Sequence, residues 1–210
     1  MSARMGLKTR LALARTLVFT GLQTEPRVLA DVVRQLCRQR ADLIVVWQPD
    51  AIADDLTIGY RAGLEAMDGR AVLGVRADAR SVATSSADLV VSEPGTRAAQ
   101  GHQSGLAVVV ADSAGALRTA LGDGQIDGVV IRPDLVAGAV WLAPPVDPSS
   151  TPWFVMVDSV ASGRSAVQAG ARRLAFDSAD GAGVRGYREL LDAPWRDEME
   201  QVGLGAFDNR

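Results

Sequence analysis

The sequence predicts an α/β protein, a (β/α)8 TIM barrel, on three observations. Eight short apolar segments recur along the chain, segments of helical periodicity separate most of them, and no break in composition marks a second domain. Strands that alternate with helices form parallel sheets through right-handed crossovers. Eight such units in 210 residues lie at the lower size limit of a closed barrel, and an open doubly wound sheet is the structural alternative.

The first half of the chain supplies four strand segments after an arm at 1–12 that we expect to be flexible. They lie at 17–19, 42–47, 71–75 and 88–91, and the second is apolar at nearly every position, as in a strand covered on both faces. The first connection is a helix that begins near Pro26 and carries an apolar stripe from Val28 to Cys37. The second is a helix that ends at Gly69, and the third is a short helical segment at 80–86.

The second half supplies strands at 106–110, 127–131, 152–157 and 172–176. Ser113 and Ser159 precede helical patterns and are N-cap candidates. The segment between the fourth and fifth strands holds three glycines, and the segment between the sixth and seventh holds four prolines. We therefore expect the fourth helix to be eroded and the sixth to be short or lost. A last helix at 184–191 completes a barrel at 13–192, and apolar spacing in the tail at 193–210 predicts a further short helix.

Composition excludes several classes of protein. The net charge of −3 argues against nucleic acid as a partner. The apolar runs are far shorter than the ~20 residues of a membrane span. Arg15 interrupts the apolar stretch near the N-terminus, so we predict no secretory signal and a cytoplasmic location. A single Cys37 and a single His102 exclude an internal disulfide and a multi-histidine metal site. Heavy use of Ala, Val, Gly and Arg is typical of a high-GC bacterial genome.

Three stretches of the chain carry short sequence motifs at predicted strands. Residues 151–158 read Thr-Pro-Trp-Phe-Val-Met-Val-Asp and precede a helix and Ala-Arg-Arg-Leu-Ala at 171–175, while 41–45 read Ala-Asp-Leu-Ile-Val and 86–90 read Ser-Ala-Asp-Leu-Val. They resemble strands of the thiamine-phosphate synthase and thiazole tautomerase family, over 13–192 of this chain. The resemblance implies a (β/α)8 barrel with its site at the carboxyl ends of the strands. It also implies a pyrimidine pyrophosphate and a thiazole phosphate as substrates, with magnesium.

The chain departs from the family pattern where that pattern binds phosphate or metal. Trp47 and Pro49 replace an arginine and a lysine after the second strand, and Val157-Asp158 replace two glycines after the seventh. The other departures are Arg76-Ala77-Asp78 for Asn-Asp-Arg, 93–96 for a Gly-Gln and an aspartate, 110–112 for Ser-x-His, and 132–134 for a Thr-rich loop with a lysine. The family's magnesium ligands are therefore not matched, and we predict no cofactor. We expect a degenerate member that keeps the barrel and lacks the reaction.

Seven side chains just after strands form the predicted site. The aspartates constitute either a new acidic site for a cation or an amine, or ordinary helix caps. The arginines either hold an anion or pair with neighbouring aspartates, and the tryptophan is either a stacking platform or a plug of the barrel mouth. The candidates for catalysis are Asp112 and Asp158, and those for ligand binding are Trp47, Arg76, Asp78, Arg132 and Asp177.

Three functions stay open at this stage. The first is a pseudoenzyme that acts by binding or by assembly, because the replaced positions are those that the family's reaction needs. The second is an enzyme of altered specificity that acts on an unphosphorylated heterocycle, and the third is residual thiamine-phosphate synthase activity. Trp141, Leu142 and Val146 lie among prolines, which predicts a surface for a protein partner or for self-association.

Overall fold

Eight parallel strands close into a barrel in the computed structural model, which describes residues 2–21, 25–47, 53–76, 87–92, 105–180 and 182–201. Each strand pairs with the next in chain order, and the last pairs with the first. The strands are β1 (Thr16–Gly21), β2 (Leu43–Trp47), β3 (Val72–Arg76), β4 (Leu89–Ser92), β5 (Leu106–Ala111), β6 (Gly128–Ile131), β7 (Trp153–Met156) and β8 (Leu174–Asp177). The predicted (β/α)8 barrel is confirmed, and the open sheet is wrong.

The described residues form seven α-helices. They are α1 (Ser2–Leu13), α2 (Pro26–Arg38), α3 (Ala53–Met67), α4 (Ala114–Gly122), α5 (Val136–Leu142), α6 (Val160–Gln168) and α7 (Gly183–Gln201). Of these, α2 to α7 lie where the sequence predicted helical segments. Ser113 and Ser159 are the N-caps of α4 and α6, as predicted. The sixth connection is short, because a 3₁₀ turn at Pro133–Leu135 and the two turns of α5 are its helical part. The expected segment at 80–86 and the fourth connection at 93–104 lie outside the described residues.

The strands separate two apolar layers. Alternate residues such as Leu17 and Phe19 of β1 and Leu43 and Val45 of β2 pack inside the barrel. The residues between them, such as Val18, pack against the outer helices. Because side chains alternate along a strand, the last inward position of each strand reaches the mouth at the carboxyl end.

The N-terminal segment is a helix, where we expected a flexible arm at 1–12. Leu11 of α1 is 1% exposed and belongs to the inner core of the barrel, with Leu7 packed beside it. The Lys8 ammonium lies 2.8 Å from the carboxylate of the buried Asp127, and Arg173 donates to the carbonyl of Ala12 at 2.9 Å. The arm is ordered because it covers apolar residues at the amino-terminal end of the barrel.

The C-terminal segment also differs from expectation. A single helix, α7, continues through Pro194 to Gln201, whereas we expected the barrel to end at 192 and the tail to hold a further short helix. Proline has no N–H to bond the carbonyl four residues earlier, so α7 loses one hydrogen bond and continues. Residues 202–210 lie outside the described part of the chain.

A polar network holds the amino-terminal ends of β1 and β2 together. The Asp42 carboxylate accepts the backbone N–H groups of Arg15 at 2.9 Å and Thr16 at 3.0 Å. Arg188 of α7 donates to the same carboxylate at 2.5 Å, and Arg15 contacts Asp192 of α7 at 2.5 Å. These contacts attach α7 to the end of the barrel opposite the mouth.

Candidate active site at the barrel mouth

The carboxyl ends of the strands carry the predicted site residues that the structure describes. Trp47, Arg76 and Asp177 are the last residues of β2, β3 and β8. Three more, Asp112, Arg132 and Asp158, follow β5, β6 and β7 within two residues. Asp78 lies outside the described residues. In (β/α)8 enzymes this end holds the active site. The mouth of the barrel is therefore the candidate active site.

One side of the mouth is occupied by an arginine against two aromatic rings. The guanidinium carbon of Arg76 lies 4.7 Å from the ring centroid of Trp47 and 5.9 Å from that of Phe19. These are cation–π distances. The ring of Trp47 therefore serves as a platform for a side chain of its own chain. Sequence reasoning missed Phe19, because its strand reads as uniform core.

The other side of the mouth opens into a cavity of about 550 Å³ at the ends of β6, β7 and β8. Pro133, Met156 and Val157 supply apolar lining. Among the residues that the structure describes, the polar lining consists of one hydroxyl and three carboxylates, from Ser162, Asp158, Asp177 and Asp180. This described lining is acidic and partly apolar.

Asp158 is held in the cavity by two serine hydroxyls. Ser162 Oγ donates to its carboxylate at 2.8 Å and Ser159 Oγ at 3.1 Å. These hydrogen bonds favour the ionised form and lower the pKa of Asp158 below its usual value. The group is thus an anion at neutral pH, suited to hold positive charge and poorly suited to donate a proton.

Asp177 and Asp180 are held by backbone amides of the turn after β8. The N–H of Ala179 donates to Asp177 at 2.8 Å, and that of Ala182 donates to Asp180 at 3.0 Å. The Tyr187 hydroxyl also donates to Asp180. Burial and this carboxylate raise the pKa of Tyr187, so the phenol keeps its proton. The three cavity carboxylates therefore have fixed orientations.

Two further predicted residues, Arg132 and Asp112, are not among the residues that line the cavity. Arg132 binds Asp134 through two contacts at 3.0 and 3.1 Å, so it pairs with a neighbouring aspartate, one of the two interpretations of the sequence. Asp112 is exposed after β5 and does not line the cavity.

Sequence reasoning also missed Ser162, Asp180 and Tyr187. The available signal for Asp180 was its spacing of three from Asp177. For the other two, the signal was their place in helices that follow β7 and β8.

Within the residues that the structure describes, no group of three or more His, Cys, Asp or Glu side chains is placed to bind a metal ion. The helices in this part of the chain are also too short or too polar to cross a lipid bilayer.

Comparison with known proteins locates the fold. No family model and no curated protein matches the chain. Among solved structures, a thiamine phosphate pyrophosphorylase from Pyrococcus furiosus matches with a TM-score of 0.66 and 16% identity, over 88% of this chain and 98% of the other. A Yersinia pestis DHPS with a pterine–sulfa conjugate matches with a TM-score of 0.64 and 11% identity, over 90% and 95%.

A third similar structure is a geranylgeranylglyceryl phosphate synthase from Thermoplasma acidophilum in complex with sn-glycerol-1-phosphate. Its TM-score is 0.60 at 12% identity, over 91% of this chain and 96% of the other. Identities this low show a shared fold and nothing finer. The chain is a TIM barrel whose fold is similar to that of thiamine phosphate pyrophosphorylase and other TIM-barrel synthases.

Proposed function

We propose that this chain is a thiamine-phosphate-synthase-like barrel that has lost phosphate chemistry and binds a small ligand without phosphate at its mouth. The observation that carries the proposal is the acidic lining of the cavity at the ends of β6, β7 and β8. The ligand that fits this lining is an organic cation, such as an amine or an amidinium, with an apolar part.

The charge of the lining argues against phosphate. A phosphate site needs cations or backbone N–H groups directed at the ligand. Here the N–H groups of Ala179 and Ala182 are already bound to the carboxylates of Asp177 and Asp180. Arg132, the arginine that follows β6, is bound to Asp134. Each carboxylate in the cavity would repel a diphosphate, so the lining selects against the substrates that the family resemblance implies.

The shape and chemistry of the cavity favour an organic ligand over a bare ion. Apolar lining from Pro133, Met156 and Val157 offers burial to carbon atoms. The volume of about 550 Å³ lies within the range of small-molecule sites. Binding, not acid catalysis, is the role that suits Asp158, because its lowered pKa leaves no proton to donate at neutral pH.

Isothermal titration of the full chain tests the loss of phosphate binding. The probe is inorganic pyrophosphate with magnesium, and we expect no saturable heat up to about 1 mM ligand, where binding free energies near −4 kcal/mol are still detected. Saturable binding with a micromolar Kd would overturn the proposal. The same outcome would favour the alternative hypothesis of residual thiamine-phosphate synthase activity.

A second titration tests the ligand class with benzamidine, a planar organic cation. We expect a Kd of about 1 mM or tighter, weakened at least about fivefold by Asp158→Asn, because an ion pair in the cavity is lost. Asp123→Asn is the matched control, since it removes the same charge from an exposed aspartate that follows α4. Equal weakening in both variants, or no binding by the unaltered chain, would count against an organic cation.

A further inference from the structure

The outer surface of α5 leaves large apolar side chains in solvent. Trp141 is 81% exposed and Val146, in the turn that follows, is 76% exposed. Ala137, Gly138 and Leu142 are exposed as well. We call these five residues the α5 face. Val136 and Ala139 form the opposite side of the helix and are buried against the barrel, so the orientation of α5 is fixed and its outer side is apolar.

The α5 face carries no charge. The twelve residues from Leu135 to Val146 include no Asp, Glu, Lys or Arg. Along the sequence, the nearest charges are Asp134, which is paired with Arg132, and Asp147. A two-fold axis brings a surface against its own copy. Because its five residues are uncharged, the α5 face meets its own copy without repulsion between like charges. The same residues offer no ion pair to a charged partner.

The α5 face also has a shape that fits itself. Trp141 projects from the helix, while Ala137 and Gly138, one turn earlier on the same side, are small and exposed. The face thus places one large side chain beside two small residues, and we call the low area over Ala137 and Gly138 the recess. When two such helices cross about a two-fold axis, Trp141 of each copy can lie in the recess of the other, which is the reciprocal contact of a symmetric dimer.

We propose that two copies of this chain associate through the α5 face, with Trp141 as the central contact. This inference is independent of the ligand proposed for the mouth, because α5 faces outward. One helix and a turn cover less than the roughly 800 Å² per partner of a standard stable interface. The dimer therefore dissociates on dilution.

Sedimentation velocity of the full chain, over about 1–200 µM, tests the proposal across the range expected for a small interface. The weight-average mass is expected to rise from the 22.1 kDa of one chain towards twice that value. Trp141→Glu is expected to raise the dissociation constant at least about tenfold, because a central tryptophan is a typical hot spot.

A second variant separates loss of the dimer from loss of the fold. Gly138→Arg fills the recess, yet a Cβ at Gly138 meets nothing nearer than the Leu117 side chain at 3.9 Å, so the monomer accommodates the change. Ile58→Glu, at an exposed apolar residue of α3, is the matched control and should leave the dimer intact.

Two results would overturn the proposal. One is a single 22.1 kDa species at every concentration, which would leave the α5 face to a different partner. The other is a dimer that neither Trp141→Glu nor Gly138→Arg weakens relative to Ile58→Glu.

Discussion

At the scale of the residue, the carboxylates of the cavity differ in what holds them. Asp177 and Asp180 accept backbone N–H groups of their own turn. Asp158 instead depends on two side chains, Ser159 and Ser162. A charge held by side chains can be altered by a single substitution, so Asp158 is the carboxylate whose ionisation can be tested directly.

Replacing Ser162 with alanine is expected to raise the pKa of Asp158 towards its usual value of 3.8, because the side-chain hydrogen bond that stabilises the carboxylate most is removed. A depressed pKa contributes stability above the unfolded value, and that stability is lost as pH falls through the folded value. The Ser162→Ala variant should lose this contribution. Carboxyl ¹³C NMR titration from neutral pH to below 3.8 measures the shift.

Ser165→Ala is the control for this titration. Ser165 is also on α6, but its hydroxyl donates to the carbonyl of Ala161 and makes no contact with Asp158. An unchanged pKa of Asp158 in Ser162→Ala, or an equal rise in Ser165→Ala, would show that the serine hydroxyl does not control the carboxylate.

From the sequence alone, four of the candidate residues could be assigned to the carboxyl end of the barrel. Residues that follow strands meet at one end of a parallel barrel, and this rule alone located Trp47, Arg76, Asp158 and Asp177 at the mouth. It could not tell which of them share a cavity. That depends on the turns and on the helices after β7 and β8, which bring in Ser162 and Asp180 through contacts without sequence periodicity.

At the scale of the element, α1 shows where sequence reasoning is weakest. Leu7, Leu11 and Ala14 recur at helical spacing, but the charges at Lys8 and Arg10 between them are typical of a disordered arm. Lys8 is the only lysine of the chain, and it pairs with the buried Asp127. The partner that orders α1 lies more than a hundred residues away, so local patterns did not reveal it.

Truncation of Leu11 to alanine is expected to lower the free energy of unfolding by about 2–4 kcal/mol, because it opens a cavity in the inner core of the barrel. Leu13→Ala makes the same chemical change in the same helix, at a side chain that is 74% exposed. Its effect should stay within about 0.5 kcal/mol. Urea unfolding of both variants gives the comparison, and equal effects would show that α1 does not seal the barrel.

At the scale of the whole molecule, closure of the barrel depends on close approach of neighbouring strands. Gly74 of β3 shares the inner face with Val72 and pairs in register with Leu89 of β4. A Cβ at Gly74 would lie 2.6 Å from the carbonyl oxygen of Leu89 and 2.8 Å from its Cβ. The backbone itself would have to move. Because the eight strands form one closed ring, the displacement cannot be absorbed at a free edge.

Gly74→Ala is therefore expected to lower the free energy of unfolding by about 3 kcal/mol, the cost of overpacking a filled core. Gly115→Ala in α4 is the matched control, because a Cβ there meets nothing within 4 Å. Alanine should stabilise that helix by up to about 1 kcal/mol. Urea unfolding with an unchanged m-value would assign both effects to the folded barrel. If Gly74→Ala unfolded at the same urea concentration as the unaltered chain, the β3–β4 contact would not limit closure.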